Sequence, residues 1–366
     1  MARKNNYQDK ARGMLVGLAV GDALGAPVEF LPAPSDFHIK EMGNKIEHFH
    51  NNYRAPKGVW TDDTEMALCI ADSLLVNGGY DSYDIMRRFL AWSEEGYRTY
   101  DEKPAADVGA QTLRALEDFE RHPVVLEDEE TESAGNGPIM RLAPIVIANT
   151  FPEKEYPTLK EAYKKGSLVI DPEDGDGEYI DGKDIEDTLH MAELSARETH
   201  NSVAARTVTQ MFATTLYCAL HGLEKRNIHN YAERWFKGKD CDDFWLNNID
   251  NLVGRVLKKD EKNLTNLGGY IVDTFAIAMW GLINFKSFKD GMMAVIRLGG
   301  DTDTNGAVYG QLAGAYYGYE KIPKEWREEV YKADELVSIA DKLLKMDKCP
   351  VIRTRFEDDK DFKEPE

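Results

Sequence analysis

Two short acidic segments combine carboxylates and threonines at spacings that suit metal chemistry. One runs from Trp60 to Thr64 (WTDDT) and the other from Gly299 to Gly306 (GGDTDTNG). Each places two carboxylates within a few residues of a point where a helix is expected to begin. Close carboxylates repel one another unless a positive charge lies between them, and Mg²⁺ or Mn²⁺ ions prefer such oxygen ligands. Together the segments could hold a pair of ions about 3.5–4 Å apart.

Helix capping is a simpler interpretation of the same residues. Asp and Thr are favoured at helix N-caps, so either segment taken alone could do no more than start a helix. Capping does not require adjacent carboxylates, however, and it does not explain Asp301 and Asp303 behind a pair of glycines. The two segments together therefore favour a binuclear metal site.

The composition narrows the class of protein and its partners. The chain has 366 residues, 42% of them hydrophobic, and a net charge of −20. This charge argues against binding to nucleic acid or to an anionic membrane surface, although bound cations would still allow an anionic small ligand. The four cysteines are widely spaced without a CxxC pair, which favours a reducing compartment, and we expect a cytoplasmic protein. Because Asp22 interrupts the apolar run near the N terminus, we predict neither a cleaved signal nor a membrane span.

Helical periodicity dominates the apolar pattern. It runs through Met66–Leu75, Val203–Leu220 and Ile271–Ile283, with apolar residues recurring every three or four positions. Alternating patterns typical of strands are scarce, and the best candidates for a small hairpin are residues 167–170 and 178–180. The sequence therefore predicts an all-α fold with many helices.

The domain organisation follows from the distribution of charge and apolar residues. We expect one compact domain over residues 1–350, with a surface insertion at about 151–187 where acidic residues and glycines accumulate. Residues 351–366 have the composition of an acidic tail. We expect the protein to be a monomer.

Glycines recur every four residues in two separate parts of the chain. Glycine costs about 1 kcal/mol relative to alanine at each helix position, so the repetition needs a structural reason. Spaced in this way, the glycines form a smooth ridge that lets another backbone approach closely. We predict that the two ridges face each other and bring their ends together. They are formed by Gly13, Gly17, Gly21 and Gly25, and by Gly306, Gly310, Gly314 and Gly318.

These segments and several others, in the same order, resemble the ADP-ribosylglycohydrolase family. The resemblance covers roughly residues 10–345. It implies an all-α fold and hydrolytic removal of ADP-ribose from a modified side chain, with two Mg²⁺ or Mn²⁺ ions. The segments that carry it are 17–30 (GLAVGDALGAPVEF), 60–64 (WTDDT), 135–144 (GNGPIMRLAP), 199–200 (TH), 269–274 (GYIVDT) and 299–306 (GGDTDTNG).

The resemblance also implies the ligands of each ion. Asp303 would bridge the two ions. The first ion would be held by Thr61, Asp62, Asp63 and Asp303, and the second by Asp301, Asp303 and Thr304.

Two further carboxylates match catalytic positions of the family. Glu29 corresponds to a glutamate beside the metals, and Asp107 resembles the aspartate that activates the attacking water. From the sequence alone, Glu29 could be an ordinary surface residue, and Asp107 could cap the helix that runs through Leu113. The segment departs from the family pattern at Gln111, where a small hydroxyl residue is common.

Three other motifs match parts of a substrate site. Gly135, Asn136 and Gly137 would form a turn whose backbone N–H groups bind a diphosphate, although they could equally form a plain turn. His200 would line the substrate pocket, although a lone histidine among polar residues could equally be exposed, and Asn201 stands where the family commonly has proline. Tyr270 matches an aromatic residue that packs on the nucleoside, and it could instead belong to the core.

The resemblance favours release of ADP-ribose from ADP-ribosylated arginine. Two alternatives stay open from the sequence. The first is hydrolysis of other conjugates, such as O-acetyl-ADP-ribose or ADP-ribosyl-serine. The second is an immunity-type protein that binds and neutralises a cognate ADP-ribosyltransferase. The partner is accordingly an ADP-ribosylated protein, a small ADP-ribose conjugate or the transferase itself.

Overall fold

The computed structural model describes residues 6–30, 55–122, 133–152, 182–228 and 268–354. Helices account for most of these residues, which confirms the predicted all-α fold. The α-helices are α1 (Tyr7–Gly25), α2 (Asp62–Asn77), α3 (Ser82–Glu95), α4 (Ala110–Arg121), α5 (Gly137–Met140), α6 (Ala143–Ala148), α7 (Gly182–Arg197), α8 (Val203–Leu220), α9 (Ile271–Asn284), α10 (Phe288–Arg297), α11 (Thr302–Tyr317), α12 (Lys324–Glu329) and α13 (Ala333–Leu344). Short 3₁₀ turns follow α1 (Ala26–Val28) and α11 (Tyr319–Lys321).

Helices α1 and α11 pack against each other along their glycines, as the sequence predicts. A methyl group built on Gly21 would overlap the carbonyl oxygen of Gly306, and one built on Gly17 would overlap that of Gly310. Because each glycine meets backbone rather than a flexible side chain, no neighbour can move aside to admit a larger residue. The contact brings the C-terminal end of α1 to the N-terminal end of α11.

Helix α1 and its 3₁₀ turn form a long apolar stretch. Residues Tyr7–Val28 are long and apolar enough to cross a membrane by length and composition alone, although 89% of an 18-residue window within them is buried inside the protein. Its apolar surface is therefore already covered by other parts of the fold, as in a core helix. The sequence-based expectation that Asp22 interrupts the apolar run is therefore wrong. The run continues through Asp22, which is fully buried, to Val28.

Gln311 joins α11 to the short helices α5 and α6. Its side-chain oxygen accepts a hydrogen bond from the backbone N–H of Ala143 at 2.8 Å, and its amide nitrogen donates to the carbonyls of Ile139 and Met140 at 2.9 and 2.8 Å. Such satisfied buried polar groups fix neighbouring elements in one arrangement. The chain just after Gly135–Gly137 is thereby held against the helix that begins in the second acidic segment.

Two short strands pair in parallel beside the helices. Strand β1 (Tyr80–Asp81) lies against β2 (Val351–Arg353), and the Arg353 guanidinium binds the Asp81 carboxylate at 3.0 and 2.8 Å. Strand β2 falls within residues 351–366, so any acidic tail begins only after Arg353. The sequence missed this pair because a strand of two or three residues is too short for a visible alternation.

The end of the expected insertion is helical. Helix α7 begins at Gly182, and Ile185 is fully buried, so residues 182–187 belong to the fold rather than to a surface loop. Residues 153–181, including the proposed hairpin at 167–170 and 178–180, lie outside the described residues.

Candidate active site

Two parts of the chain that are distant in sequence together form a cluster of three carboxylates. Carboxylate oxygens of Glu29, Asp301 and Asp303 all lie within 4.8 Å of one another. Glu29 follows the 3₁₀ turn after α1, and the two aspartates lie at the start of α11. The backbone N–H of Phe30 donates to the carbonyl of Gly300 at 2.7 Å, which ties the Glu29 segment to the second acidic segment.

The pair of glycines before Asp301 has a conformational role. Gly299 and Gly300 have φ angles of 78° and 77°, which most residues with a side chain adopt only with strain. The two left-handed residues in succession turn the chain sharply from α10 into α11. The turn places Asp301 and Asp303 at the helix start, facing Glu29.

Asp22 holds the first acidic segment in place. Its carboxylate accepts hydrogen bonds from the backbone N–H of Thr61 (2.8 Å) and of Thr64 (3.0 Å), and from their hydroxyls at 2.8 and 2.6 Å. These bonds favour the charged form, although complete burial outweighs them and raises the pKa of Asp22 to about 6. The family resemblance did not assign Asp22 to the site, and its signal in the sequence was a charge within an apolar run.

The side chains of the two acidic segments do not cap the helices that begin there. Thr61 and Asp301 occupy the N-cap positions of α2 and α11, but neither side chain makes a capping hydrogen bond. Ser202 and Ser287, by contrast, cap α8 and α10 through their hydroxyls. The capping interpretation therefore does not account for the acidic residues.

Asp63 provides the clearest test of whether the site suits a metal ion. The residue is fully buried, and neither of its carboxylate oxygens has a hydrogen-bond partner among the described residues. Burial raises the pKa of Asp63 well above its usual range, and the neighbouring carboxylates of Asp22 and Asp62 raise it further. A buried carboxylate without a partner is costly, and a divalent cation would supply the missing positive charge. The residues present thus fit hard divalent ions.

The same electrostatic pattern holds for the other carboxylates. Burial, followed by the charges of Asp301 and Asp107, raises the pKa of Glu29 to about 9. The pKa values of Asp62 and Asp303 are also raised well above their usual range, first by burial and then by another carboxylate. The groups acting on one another are all acidic, as expected for a site whose charge is balanced by bound cations.

Both predicted threonine ligands lie beside these carboxylates. Thr61 donates its hydroxyl proton to Asp22, which leaves the lone pairs of its oxygen available. Thr304 is buried, and its backbone N–H donates to the Asp303 carboxylate at 2.8 Å. Oxygen ligands of both types are therefore assembled around the acidic cluster.

Asp107 lies near this cluster and is not a helix cap. Helix α4 begins at Ala110, and its N-cap is Gly109, two residues after Asp107. After burial, the charge of Asp107 is the largest influence on the pKa of Asp62 and the second charge influence on that of Glu29. The half-buried Asp107 carboxylate thus acts on the charges of the acidic site, and the N-cap position of α4 belongs to Gly109.

The Gly135–Gly137 turn is joined directly to the second acidic segment. The Asn136 side-chain amide donates to the Asp301 carboxylate at 2.8 Å and to the Thr274 hydroxyl at 3.1 Å. Its backbone N–H donates to the Gly269 carbonyl at 3.0 Å. These bonds place the turn beside the acidic cluster, where a ligand could contact both.

Tyr270 also lies next to this turn. It forms an isolated antiparallel bridge with Gly135, and it occupies the N-cap position of α9. The side chain is only partly buried, whereas Ile271 beside it is fully buried. Tyr270 is therefore positioned at the edge of the core, with part of its ring accessible.

His200 packs beneath the turn. A methyl group on Gly135 would lie 2.9 Å from His200 Nε2, and one on Gly137 would lie 2.8 Å from Cε1. The ring is buried, and burial together with the charge of Arg141 lowers the pKa of His200 to about 3. His200 is thus a neutral group in contact with the turn, and the two glycines are required because the ring occupies the space of a side chain.

Comparisons with known proteins agree with this geometry. The sequence profile of the ADP-ribosylglycohydrolase family matches residues 3–169 and 177–350. The internal segment that it leaves unmatched, 170–176, is much shorter than the surface insertion of about 151–187 that the sequence led us to expect. An ADP-ribosylarginine hydrolase, Tri1, of Pseudomonas putida is 29% identical over 345 residues, covering 94% of this chain and 80% of the relative. The ADP-ribosyl-[dinitrogen reductase] glycohydrolase of Rhodospirillum rubrum is 27% identical over 326 residues, covering 88% and 90%.

A solved structure extends the likeness to the fold. It is described as an ADP-ribosylglycohydrolase-related protein complex, and it superposes with a TM-score of 0.69 at 34% identity over 93% of this chain and 98% of the other. The acidic cluster, the adjoining turn and the match over nearly the whole length lead to one conclusion. This chain belongs to the ADP-ribosylglycohydrolase family and is a glycohydrolase.

Proposed function

We propose that this glycohydrolase releases ADP-ribose from ADP-ribosylated arginine side chains in a reaction that requires divalent cations. The observation that carries the proposal is the pair of unpartnered, buried oxygens of Asp63, within the described residues, beside the carboxylates of Glu29, Asp301 and Asp303. The arginine linkage is supported by the relative named an ADP-ribosylarginine hydrolase, which matches almost the whole chain.

Two ions, Mg²⁺ or Mn²⁺, would occupy the acidic cluster. Bound there, such ions acidify a coordinated water and orient the hydroxyls of a sugar. Asp303 would contact both ions, because it belongs to the cluster with Glu29 and Asp301 and is also close enough to Asp63 of the first acidic segment for that charge to raise its pKa. The ligands would be Thr61, Asp62, Asp63 and Asp303 for one ion, and Asp301, Asp303 and Thr304 for the other.

Asp107 would accept the proton of the attacking water. An N-glycosidic bond at an anomeric carbon breaks through an oxocarbenium-like transition state, and carboxylates serve as the acid and base in most such reactions. Asp107 is half-buried, and its charge acts on both Asp62 and Glu29, which supports a role for this carboxylate beside the acidic cluster. Glu29 is the alternative base, but burial among carboxylates raises its pKa to about 9 and opposes that form while no cation is bound.

The neighbouring turn would bind the rest of the substrate. The backbone N–H groups of Gly135 and Gly137 would hold the diphosphate, since N–H groups in a turn bind anions. Asn136, whose own N–H donates to the Gly269 carbonyl and whose side chain donates to Asp301, would hold the turn beside the acidic cluster instead. Tyr270 would contact the nucleoside through its accessible face, and His200 would complete the phosphate site from below. Each of these residues is adjacent to the turn or belongs to it.

We also propose that the chain up to the end of strand β2, residues 1–353, forms this enzyme unit in a single monomeric domain and that it works in the cytoplasm. The location is supported by Cys69, Cys218 and Cys349, which are buried as free thiols, as expected in a reducing compartment.

The proposal is tested with substrates that differ only in linkage. The purified protein is incubated with arginine-linked, serine-linked and acetyl-linked ADP-ribose in Mn²⁺, and released ADP-ribose is measured. We expect release from the arginine linkage, and loss of that release in Asp63→Asn. Cleavage of the serine or acetyl linkage without the arginine linkage would reject the proposed substrate, and binding of a transferase without any turnover would reject catalysis.

A further inference from the structure

Thr199 connects three side chains around the buried base of the Gly135–Gly137 turn. Its hydroxyl oxygen lies 2.7 Å from Arg141 Nη2 and 2.8 Å from His200 Nδ1. Its backbone carbonyl accepts a hydrogen bond from Gln111 Nε2 at 3.1 Å, which links it to helix α4. All three bonded groups converge on this one residue, next to the histidine that packs beneath the turn.

The direction of these hydrogen bonds fixes the position of a proton. A guanidinium has only donors, so Arg141 must donate to the Thr199 hydroxyl oxygen. Among the described residues, the remaining partner of that hydroxyl is His200 Nδ1, which must therefore accept the hydroxyl proton. If Nδ1 carried its own proton, the Thr199 oxygen would accept from both Arg141 and His200, and the hydroxyl proton would lack an acceptor among the described residues. Nδ1 is thus an acceptor, and a neutral ring then carries its hydrogen on Nε2.

The doubly protonated ring is excluded on electrostatic grounds. His200 is buried, and the positive charge of Arg141 acts on it across Thr199. Both effects lower the pKa of His200, to about 3, so the ring stays neutral throughout the neutral range. The Tyr80 hydroxyl donates to Glu198 Oε1 at 2.7 Å, and Glu198 is not among the groups that shift the pKa of His200.

The hydrogen on Nε2 lies on the ring edge that meets the turn. Nε2 is the His200 atom nearest to the missing side chain of Gly135, and it also lies close to that of Gly137. We propose that Arg141 and Thr199 are positioning residues that fix His200 as the Nε2–H tautomer, so that the ring presents a hydrogen-bond donor at the diphosphate turn. This inference rests on the proposed function for its ligand, while the tautomer itself is a property of the free protein.

A fixed neutral donor has a definite advantage at this place. A group that gained and lost a proton near neutral pH would make phosphate affinity vary with pH, whereas a locked Nε2–H does not. Arg141 itself is fully buried, with Nη2 also donating to the Ser195 carbonyl at 3.2 Å and its guanidinium 4.7 Å from the centre of the Phe89 ring. It is therefore held rigidly enough to determine the orientation of the Thr199 hydroxyl.

The tautomer can be read directly by NMR of the full chain with ¹⁵N-labelled histidine. Long-range ¹H–¹⁵N spectra report which ring nitrogen is protonated, and His200→Gln assigns the signal. We expect wild type and Thr199→Ser to show hydrogen on Nε2, and Thr199→Val to show a mixture or hydrogen on Nδ1. Hydrogen on Nδ1 in the wild-type spectrum would overturn the inference, even if Thr199→Val failed to fold.

Ligand affinity provides the second readout. Titration with ADP-ribose should give a dissociation constant about tenfold higher for Thr199→Val, since a hydrogen bond to a charged group is lost or misdirected. Affinity for adenosine, which has no phosphate, should not change, and Thr199→Ser should restore ADP-ribose binding. Equal affinities of wild type and Thr199→Val for ADP-ribose would contradict the positioning role.

A matched control removes a buried hydroxyl elsewhere. Thr215 donates to the Met211 carbonyl at 2.8 Å within its own helix, so Thr215→Val should leave both the His200 spectrum and ADP-ribose affinity unchanged. If wild type bound no ADP-ribose at all, the proposed function would fail, while the spectrum would still decide the tautomer.

Discussion

Gly21 of α1 and Gly306 of α11 touch through their backbones, with no space for a side chain on either. Asp22 is the next residue after Gly21, and Asp303 lies three residues before Gly306. The contact between the glycines therefore sets the separation between the residue that holds the first acidic segment and the carboxylate at the centre of the second. The site depends on a packing contact to which no polar side chain contributes.

Gly21→Ala should lower both stability and metal affinity. The added methyl group would overlap the Gly306 backbone, and overpacking of a core costs about 3 kcal/mol at the upper end of its usual range. Chemical denaturation measures the free energy of unfolding. Gly78→Ala is a suitable control, because its surroundings are open and only its φ of 68° opposes a side chain, at about 1 kcal/mol. Equal losses in the two variants would show that the ridge does not set the helix distance.

In protein without divalent ions, the free energy of unfolding should decrease as the pH rises. The folded-state pKa of Glu29, about 9, lies above its ordinary value of 4.5, so the folded protein holds a proton that the unfolded chain loses. The associated stability is complete below about pH 4.5 and is lost as pH rises towards 9. In EDTA we expect the free energy of unfolding to decrease by up to ~1.4 kcal/mol per pH unit for each such carboxyl.

Glu29→Gln is the control for this pH dependence. The amide does not titrate, so the variant in EDTA should show a shallower decrease of stability than wild type across the interval between the two pKa values of Glu29. With saturating Mn²⁺ the wild-type decrease should also become smaller, because bound cations favour the charged carboxylates. An identical slope with and without Mn²⁺ would indicate that no ion binds among these residues.

Asp303→Asn should weaken metal binding more than Asp301→Asn. Even residues that only orient a ligand contribute about 10–100-fold to metal affinity, so loss of a carboxylate shared by both ions should exceed about 100-fold. Asp301 would contact one ion, and its replacement by Asn keeps an acceptor for Asn136. Calorimetric titration with Mn²⁺ measures both variants. Equal, mild losses would argue against a bridging role for Asp303.

The fold and the acidic cluster follow from local features that a sequence displays. Asp62, Asp63, Asp301 and Asp303 stand out because adjacent carboxylates are costly without a cation, and the glycine spacing indicates a close helix contact. Both expectations depend on neighbours along the chain or on a simple period. Local chemistry and periodicity are therefore sufficient to derive them.

Other features depend on residues that are distant in sequence. The role of Asp22 becomes visible only when Thr61 and Thr64 are brought to it. His200 has the sequence surroundings of an exposed residue, because nothing near it in the chain reveals the glycines of the turn that cover its ring. The parallel pairing of Tyr80 with Val351 spans most of the chain and has no local pattern.

Replacement of residues 170–176 by a short Gly/Ser linker should leave hydrolysis intact. This acidic segment is the internal part of the chain that the family profile leaves unmatched, which suggests that the reaction does not require it. Turnover of ADP-ribosyl-arginine by the variant should stay close to that of wild type. A large loss of turnover with an unchanged circular dichroism spectrum would show that the segment shapes the site.

Asp107→Asn should slow hydrolysis by about 10²–10⁴-fold, the range expected when a general base is removed. Binding of ADP-ribose should persist, because the turn and the acidic cluster are unaltered. Single-turnover kinetics and ADP-ribose titration separate the two effects. Near-full activity of Asp107→Asn, together with loss of activity in Glu29→Gln, would assign the base to Glu29 instead.

The central claim is that the buried carboxylates act through bound divalent ions, and the rate of ADP-ribose release from ADP-ribosyl-arginine tests it most directly. The rate is measured for wild type after EDTA treatment, with metal content determined on the same sample, and again after addition of Mn²⁺. We expect no detectable release without metal and full recovery with Mn²⁺, in parallel with the occupancy of two ions per chain. Release at an undiminished rate from protein verified to be metal-free would contradict the claim.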